Sequence, residues 1–290
     1  MMLGQSHGRP AGWTSITFST KRMGRGGTIT LNRPEKTNAL NKPPMREFET
    51  TMLAAEDDDM IKVAVLKDAG RGFCSGHDYS KEHFVPGERE TGAATETHRI
   101  DFSKRLRAYM RVWETPKPIT AQVHGPCIAA GTLLAGMADI VVAAHDAKIG
   151  PVEAAPGMVQ GLIWGSWLPL VGLRKTKDFA FLHGTMDGID STQCGWATRS
   201  VPGSELEDTV DRMAAEIARV PLEILMMKKR AINRSANQIG FREMMEINFE
   251  MSLAGHFSNT REEWTAKLER EGFKTVMQDW KAETVWDRNR

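Results

Sequence analysis

The chain has 290 residues, of which 41% are hydrophobic and 26% charged. This is the make-up of a soluble globular protein long enough for one large domain, or for a domain with a helical extension. Its 38 basic and 37 acidic residues leave a formal net charge of +1, which excludes a long-range field for capturing DNA or an anionic membrane. Residues 1–12 read as a loose tail, and residues 1–13 carry no apolar core of signal-peptide length. From Ser15, Ile16 and Phe18 alternate with polar residues. Gly24-Arg25-Gly26-Gly27 then turns the chain into Thr28-Ile29-Thr30-Leu31, which predicts a hairpin closed by Asn32-Arg33-Pro34. Met45, Phe48, Met52 and Leu53 follow at helical spacing, and Val63-Ala64-Val65-Leu66 is the short apolar run of a buried strand.

Residues 82–97 are rich in charge, Gly and Thr and lack periodicity, so a mobile loop over a site is expected there. A helix over about 101–113 leads through Pro116 and Pro118 to the strand Ile119-Thr120-Ala121-Gln122-Val123. Ile140-Val141-Val142-Ala143-Ala144 forms a further strand. Strands alternating with helices argue for an α/β domain over residues 13–200. Residues 201–290 read as helical. Ser204-Glu205-Leu206-Glu207 has capping-box form, and Leu206, Val210, Met213 and Ile217 continue at helical intervals. Met245, Phe249 and Leu253 mark another amphipathic helix, and Trp264 with Leu268 a third. Lys228-Lys229-Arg230 is a short basic run, expected to be a solvated face.

The three cysteines, Cys74, Cys127 and Cys194, are far apart and odd in number, which fits a reducing compartment rather than a disulfide framework. Cys74 and His77 lie close together, but no second pair has metal-ligand spacing, so zinc is not expected. The longest apolar stretch, around 127–137, falls short of the roughly 20 residues that a bilayer span requires. A cytoplasmic protein without membrane or nucleic-acid partners is the expectation.

Three segments carry the chemistry. Arg71-Gly72-Phe73-Cys74-Ser75-Gly76-His77-Asp78 directly follows the buried strand. Its small residues let the backbone approach a ligand and turn an N–H outward, although a tight turn explains it equally well alone. His124-Gly125-Pro126-Cys127-Ile128-Ala129-Ala130-Gly131-Thr132-Leu133 lacks bulk where an apolar helix begins. The unpaired N–H groups of a helix start suit a developing oxyanion, though close helix–strand packing is the plain alternative. Ala147-Lys148-Ile149-Gly150-Pro151-Val152-Glu153 places one carboxylate between apolar stretches, a candidate general acid/base. No dinucleotide or Walker fingerprint is present in the second segment.

Taken in order, and beginning at Ile29-Thr30-Leu31-Asn32-Arg33-Pro34-Glu35-Lys36-Thr37-Asn38-Ala39-Leu40, these segments resemble the enoyl-CoA hydratase/isomerase (crotonase) family. The resemblance runs to about residue 259. It implies an α/β fold: a crotonase-like β-β-α spiral with two roughly perpendicular sheets and a C-terminal helical region that packs into a homotrimer or hexamer. It also implies an acyl-CoA or enoyl-CoA substrate, and no cofactor beyond the coenzyme A carried by that substrate. Position by position, the backbone N–H groups of His77 and Ala130 would form an oxyanion hole, with Asp78 fixing the loop. Lys36, Ala39, Ser75 and Lys81 would line the adenosine and phosphate end, Lys81 falling one place beyond the family's usual lysine.

The acid/base pair departs from the family's pattern. Hydratases of this type carry two Glu residues. The second matches Glu153, but the first falls on Leu133, which cannot move a proton. A single carboxylate suits a 1,3-proton shuttle, so isomerisation is the first expectation and hydration the second. A hydrolase or decarboxylase of the same fold and a non-catalytic acyl-CoA binder are the alternatives. His124, His98, Asp101 and Tyr109 are further candidates for proton transfer, each more often a surface or packing residue. Met158, Trp164 and Trp167 could line an acyl pocket but are more often core.

Overall fold

In the order of the chain, β1 (Ile16–Lys21) and β2 (Gly26–Leu31) pair antiparallel, with Ile16 opposite Leu31 and Lys21 opposite Gly26, as the alternating pattern requires. The computed structural model describes residues 14–21, 26–78, 95–152 and 159–282, with the turn of this hairpin outside them. A single 3-10 turn (Pro34–Lys36) leads to α1 (Lys42–Asp57), which buries Met45, Phe48 and Met52. Leu53 stays 38% exposed, so the apolar stripe of α1 is narrower than its spacing suggests. The apolar run at 63–66 forms β3 (Val63–Asp68), parallel to β2, and β4 (Ile119–Val123) lies parallel beside β3. Strands buried on both faces are near-continuous in apolar residues, which is why this part of the fold reads directly from sequence.

Between β3 and β4 runs α2 (Thr95–Glu114), a 20-residue helix. It begins earlier than its periodicity indicates, so the loop expected over 82–97 is helical at its end; residues 82–94 lie outside the described residues. Next come β5 (Pro126–Ile128), α3 (Ala130–Gly136), β6 (Ile140–Ala144) and β7 (Lys148–Val152). They are followed by α4 (Gly161–Leu182), β8 (Gly184–Met186), α5 (Gly188–Gln193) and β9 (Arg199–Val201). The strands form two sheets: a six-stranded one in the order β1-β2-β3-β4-β6-β9, parallel apart from β1, and a three-stranded one in the order β5-β7-β8.

Five helices complete the described chain: α6 (Leu206–Ala218), α7 (Leu222–Gln238), α8 (Phe241–His256), α9 (Asn259–Glu271) and α10 (Phe273–Ala282). The first of these lies against the six-stranded sheet, and α8 packs along α4. The capping box expected at Ser204 does not form. A 3-10 turn over Gly203–Glu205 occupies that stretch, and α6 starts at Leu206 without a side-chain cap. The basic run on α7 is also not uniformly solvated. Lys228 and Arg230 are exposed, whereas Lys229 is buried and donates to Asp139 Oδ2 at 2.7 Å and to the Val112 and Lys117 carbonyls. Helical geometry turns one member of a three-residue run toward the core, and Asp139 there compensates its charge. Among the described residues, no helix is long and apolar enough to cross a membrane.

Candidate active site

The chain leaves the large sheet at the carboxyl ends of β3 and β4, where open α/β sheets characteristically place their ligands. There the first two chemistry-bearing segments run side by side. Phe73 N–H donates to the His124 carbonyl (3.0 Å), Cys74 N–H to Pro126 (3.0 Å) and Ile128 N–H to Cys74 (2.8 Å). Glycine makes this approach possible. A Cβ at Gly125 would sit 2.1 Å from the Arg71 oxygen, and one at Gly131 would sit 2.6 Å from the Cys74 oxygen. Both cysteines are buried within this seam. Burial pushes the Cys74 thiol up to about 12, so it stays protonated and unreactive.

Farther along the seam the amides of interest emerge. Leu40 N–H donates to the Gly76 carbonyl (2.7 Å) and Asp78 N–H to the Leu40 carbonyl (2.8 Å), a parallel bridge between Leu40 and His77. In that pattern residues 76 and 78 face Leu40, and the His77 N–H points to the opposite side. Ala130 opens α3, where the first N–H groups lack intrahelical acceptors. No described residue accepts a hydrogen bond from either amide. The segments nearly touch: a Cβ at Gly76 would lie 2.9 Å from Ala129 Cβ and 3.6 Å from Ala130 N.

Ala129 is held at φ 51° and ψ −119°, a conformation costing on the order of 1–3 kcal/mol for a residue with a side chain. The surroundings enforce it. Ala129 N–H donates to the Gly150 carbonyl (2.9 Å), and its own carbonyl accepts from the Thr132 hydroxyl (2.7 Å). That hydroxyl in turn accepts from Trp167 Nε1 (3.3 Å), so the fully buried Trp167 braces the start of α3 from the core. Trp164 is half-buried and donates to the Val159 carbonyl, and Met158 lies outside the described residues.

The residues expected at the adenosine and phosphate end converge on one turn. Thr37 and Asn38 adopt successive left-handed conformations (φ 48° and 54°). The turn is pinned by the buried Asn38 amide, which donates to the Ala69 and Gly72 carbonyls at 2.9 Å each. Ser75 N–H donates to the Thr37 carbonyl and Ser75 Oγ to the Lys36 carbonyl, which brings exposed Lys36 and Ser75 together beside buried Ala39. Arg33 clamps the arrangement, reaching the Ala39 carbonyl with Nη1 (2.6 Å) and Asp78 Oδ2 with Nη2 (3.1 Å). Arg33 and Asn38 were absent from the sequence-based candidates. The available signal was an Asn able to take a left-handed conformation beside Thr, flanked by Arg33 and Pro34. Lys81 lies outside the described residues.

Of the proton-transfer candidates, Glu153 also lies outside the described residues. The strand β7 that leads to it is parallel to β5, which leads to Ala130. Leu133 is 2% exposed and one helical turn beyond Ala130, on the same face of α3. The side chains of His98 and Asp101 fall outside the described residues. His124 sits at the other end of the seam, four residues or about 13 Å of extended chain from Ile128. Its Nδ1 is 3.1 Å from Asp68 Oδ1 and its Nε2 is 3.1 Å from the Gly70 carbonyl. The hydrogen bond to Asp68 raises the His124 pKa, while burial raises that of Asp68. Tyr109 is 1% exposed, and its hydroxyl lies 3.3 Å from His77 Nε2. The His77 ring is driven down to about 3, first by burial and then by Arg105, so it is neutral.

Comparison with known proteins identifies the fold and the family. The family model described as "Enoyl-CoA hydratase/isomerase" matches residues 27–275. The 1,2-epoxyphenylacetyl-CoA isomerase of Escherichia coli is 29% identical, over 83% of this chain and 91% of that protein. A crystal structure of an enoyl-CoA hydratase/isomerase from Xanthobacter autotrophicus Py2 superposes with a TM-score of 0.84 at 28% identity, covering 93% and 98% of the two chains. The enoyl-CoA hydratase of Mycobacterium smegmatis, at 24% identity, shares the fold with a TM-score of 0.83 over 92% and 93%. The two sheets and trailing helices are thus the crotonase fold. The chain belongs to the enoyl-CoA hydratase/isomerase family and is an enzyme of that type, processing acyl-CoA thioesters.

Proposed function

We propose that the enzyme forms the enolate of a CoA thioester, with its oxyanion held by the His77 and Ala130 amides, and that Glu153 carries the proton. A backbone oxyanion hole needs no metal or redox cofactor, because the amide dipoles supply the electrophilic stabilisation. Each donor of such a pair contributes about 3–4 kcal/mol toward the transition state. In the proposed cycle Glu153 removes a proton from C2 or C4 of the acyl group. It returns that proton to the other carbon, which moves the double bond without a net change of atoms.

The observation that carries isomerisation over hydration is Leu133. It is buried on the face of α3 that follows Ala130, at the position where the family resemblance places the first of two glutamates. Water addition calls for one group to orient water and another to deliver the C2 proton, and an aliphatic side chain performs neither task. Lys36, Ala39 and Ser75 would hold the nucleotide end of coenzyme A, where the left-handed turn presents them together. The apolar side chains exposed on α7 and α8, including Met227, Ile232, Ile247 and Met251, support assembly into a trimer or hexamer. A cytoplasmic location accords with the cysteine usage.

The test is to incubate the purified protein with 2-enoyl-CoA and 3-enoyl-CoA and to identify products by mass and double-bond position. Interconversion at constant mass supports isomerisation. A gain of the mass of water supports hydration, and release of free coenzyme A supports hydrolysis; either one overturns the proposal.

A further inference from the structure

The His77 peptide is fixed on one side by its bridge to Leu40, but that bridge alone does not set the tilt of the outward-pointing amide. The imidazole supplies a second handle. Helix α2 presents Tyr109 to the His77 ring, and the two rings meet edge to face with centroids 6.4 Å apart. We infer that Tyr109 is a positioning residue for the oxyanion hole, acting through the His77 imidazole to orient the His77 amide. This inference rests on the assignment of that amide as an oxyanion donor.

A neutral imidazole has one donor nitrogen and one acceptor nitrogen. Burial keeps this ring neutral. A tyrosine hydroxyl can pair with either kind of nitrogen, and the Tyr109 hydroxyl lies 3.3 Å from Nε2, within hydrogen-bond distance. Leu40 fixes the peptides on either side of His77, through the Gly76 carbonyl and the Asp78 N–H. The hydroxyl is a lever on the ring itself. Its carrier α2 packs against α1 and α3, so it references the first donor segment to the helix that bears the second donor.

A neutral ring of this kind is also a poor base, which distinguishes positioning from proton transfer. Loss of the hydroxyl should leave the thioester bound but held by a less well aimed donor.

The experiment compares wild type, Tyr109→Phe, His77→Leu and the double variant, each checked by circular dichroism. The probes are [1-13C]butanoyl-CoA and [1-13C]octanoyl-CoA, and the readout is the infrared stretch of the labelled thioester carbonyl in the bound state, with dissociation constants measured in parallel. Wild type should show a shift of the carbonyl to lower frequency. Tyr109→Phe should lose part of that shift while binding within about twofold, and should lower kcat by about 2- to 10-fold at nearly constant KM, as expected for one neutral hydrogen bond. In the His77→Leu background the Tyr109 change should have no further effect on the shift or the rate. A wild type that binds the thioester without any shift overturns the oxyanion reading and this inference with it. A wild-type shift retained in full by Tyr109→Phe, or an equal loss in the His77→Leu background, overturns this inference alone.

Discussion

Gly131 is the position where local and tertiary physics disagree most sharply, and the substitution Gly131→Ala shows which of them wins. Gly131 is the second residue of α3, and alanine is favoured over glycine within a helix by about 1 kcal/mol. Against that gain, the added methyl would come 2.6 Å from the Cys74 oxygen, 2.9 Å from its Cβ and 3.2 Å from its carbonyl carbon. These are largely backbone atoms of the seam itself, held by the Cys74–Pro126 and Ile128–Cys74 hydrogen bonds, and they cannot rotate away. Overpacking against a rigid neighbour costs about 1–3 kcal/mol, and contacts as short as 2.6 Å belong to the upper part of that range, so the net loss after the helix gain should approach about 2 kcal/mol.

Whatever the backbone yields separates the His77 segment from the Ala130 segment. Misplacement of about 1 Å can cost on the order of 100-fold in rate, so a shift of a few tenths should lower kcat by about tenfold. The control lies in the same helix. A Cβ at Gly136 would meet Leu170 Cδ1 at 3.5 Å and Trp196 Nε1 at 3.8 Å, which are ordinary contacts. Gly136→Ala should therefore be neutral or stabilising by up to about 1 kcal/mol. Urea unfolding and steady-state kinetics on both variants decide the matter. A Gly131→Ala protein as stable and as active as Gly136→Ala would refute the claim that the seam is closed too tightly for a methyl group.

Two further expectations concern the scaffold. Lys229→Ala strips the compensating charge from Asp139, whose side chain is 23% exposed; the loss should be about 3 kcal/mol in urea, at the low end for a buried pair, and a loss under about 1 kcal/mol contradicts the role given to Lys229. The folded pKa of His124 is raised above 6.5, chiefly by its hydrogen bond to Asp68. Its stabilising contribution is therefore complete below pH 6.5 and is lost as the pH rises through the folded value. Wild-type stability should therefore fall above pH 6.5, and His124→Gln should flatten that slope; the raised pKa of Asp68 also lowers stability with rising pH, but from 3.8 upward. An identical slope in the variant removes His124 as its source.

The long elements of the fold were legible because their apolar residues repeat over several turns or fill a buried strand. β5, β7 and β8 were not. Two of them have three residues, β5 begins with proline, and β7 includes Gly150 and Pro151, so neither alternation nor composition marks them. The α4 region is hidden in another way, because Pro169 lies within it and Gly172 breaks it at φ 78°. At the site, backbone donors carry no residue-type signature. His77 and Ala130 emerged only from the order of the segments around them, and Ala129 masks a positive-φ position that a glycine would have advertised. Arg33 went unnoticed because its partners, Ala39 and Asp78, become neighbours only once the seam has formed. Lys229 was misread because burial of one member in a basic run depends on Asp139, 90 residues away.

The central claim is an enolate formed at C2 with Glu153 as the base, and hydrogen exchange at that carbon reports on it without requiring the natural acyl group. The measurement incubates wild type and Glu153→Gln with a saturated acyl-CoA in deuterium oxide and follows loss of the C2 protons by NMR, alongside dissociation constants for the same thioester. Glutamine keeps the shape and hydrogen-bonding capacity of the side chain but cannot take up the proton. The account predicts exchange in wild type, a fall of roughly 100- to 10,000-fold in the variant, and nearly unchanged binding. Exchange at the wild-type rate in Glu153→Gln would contradict it.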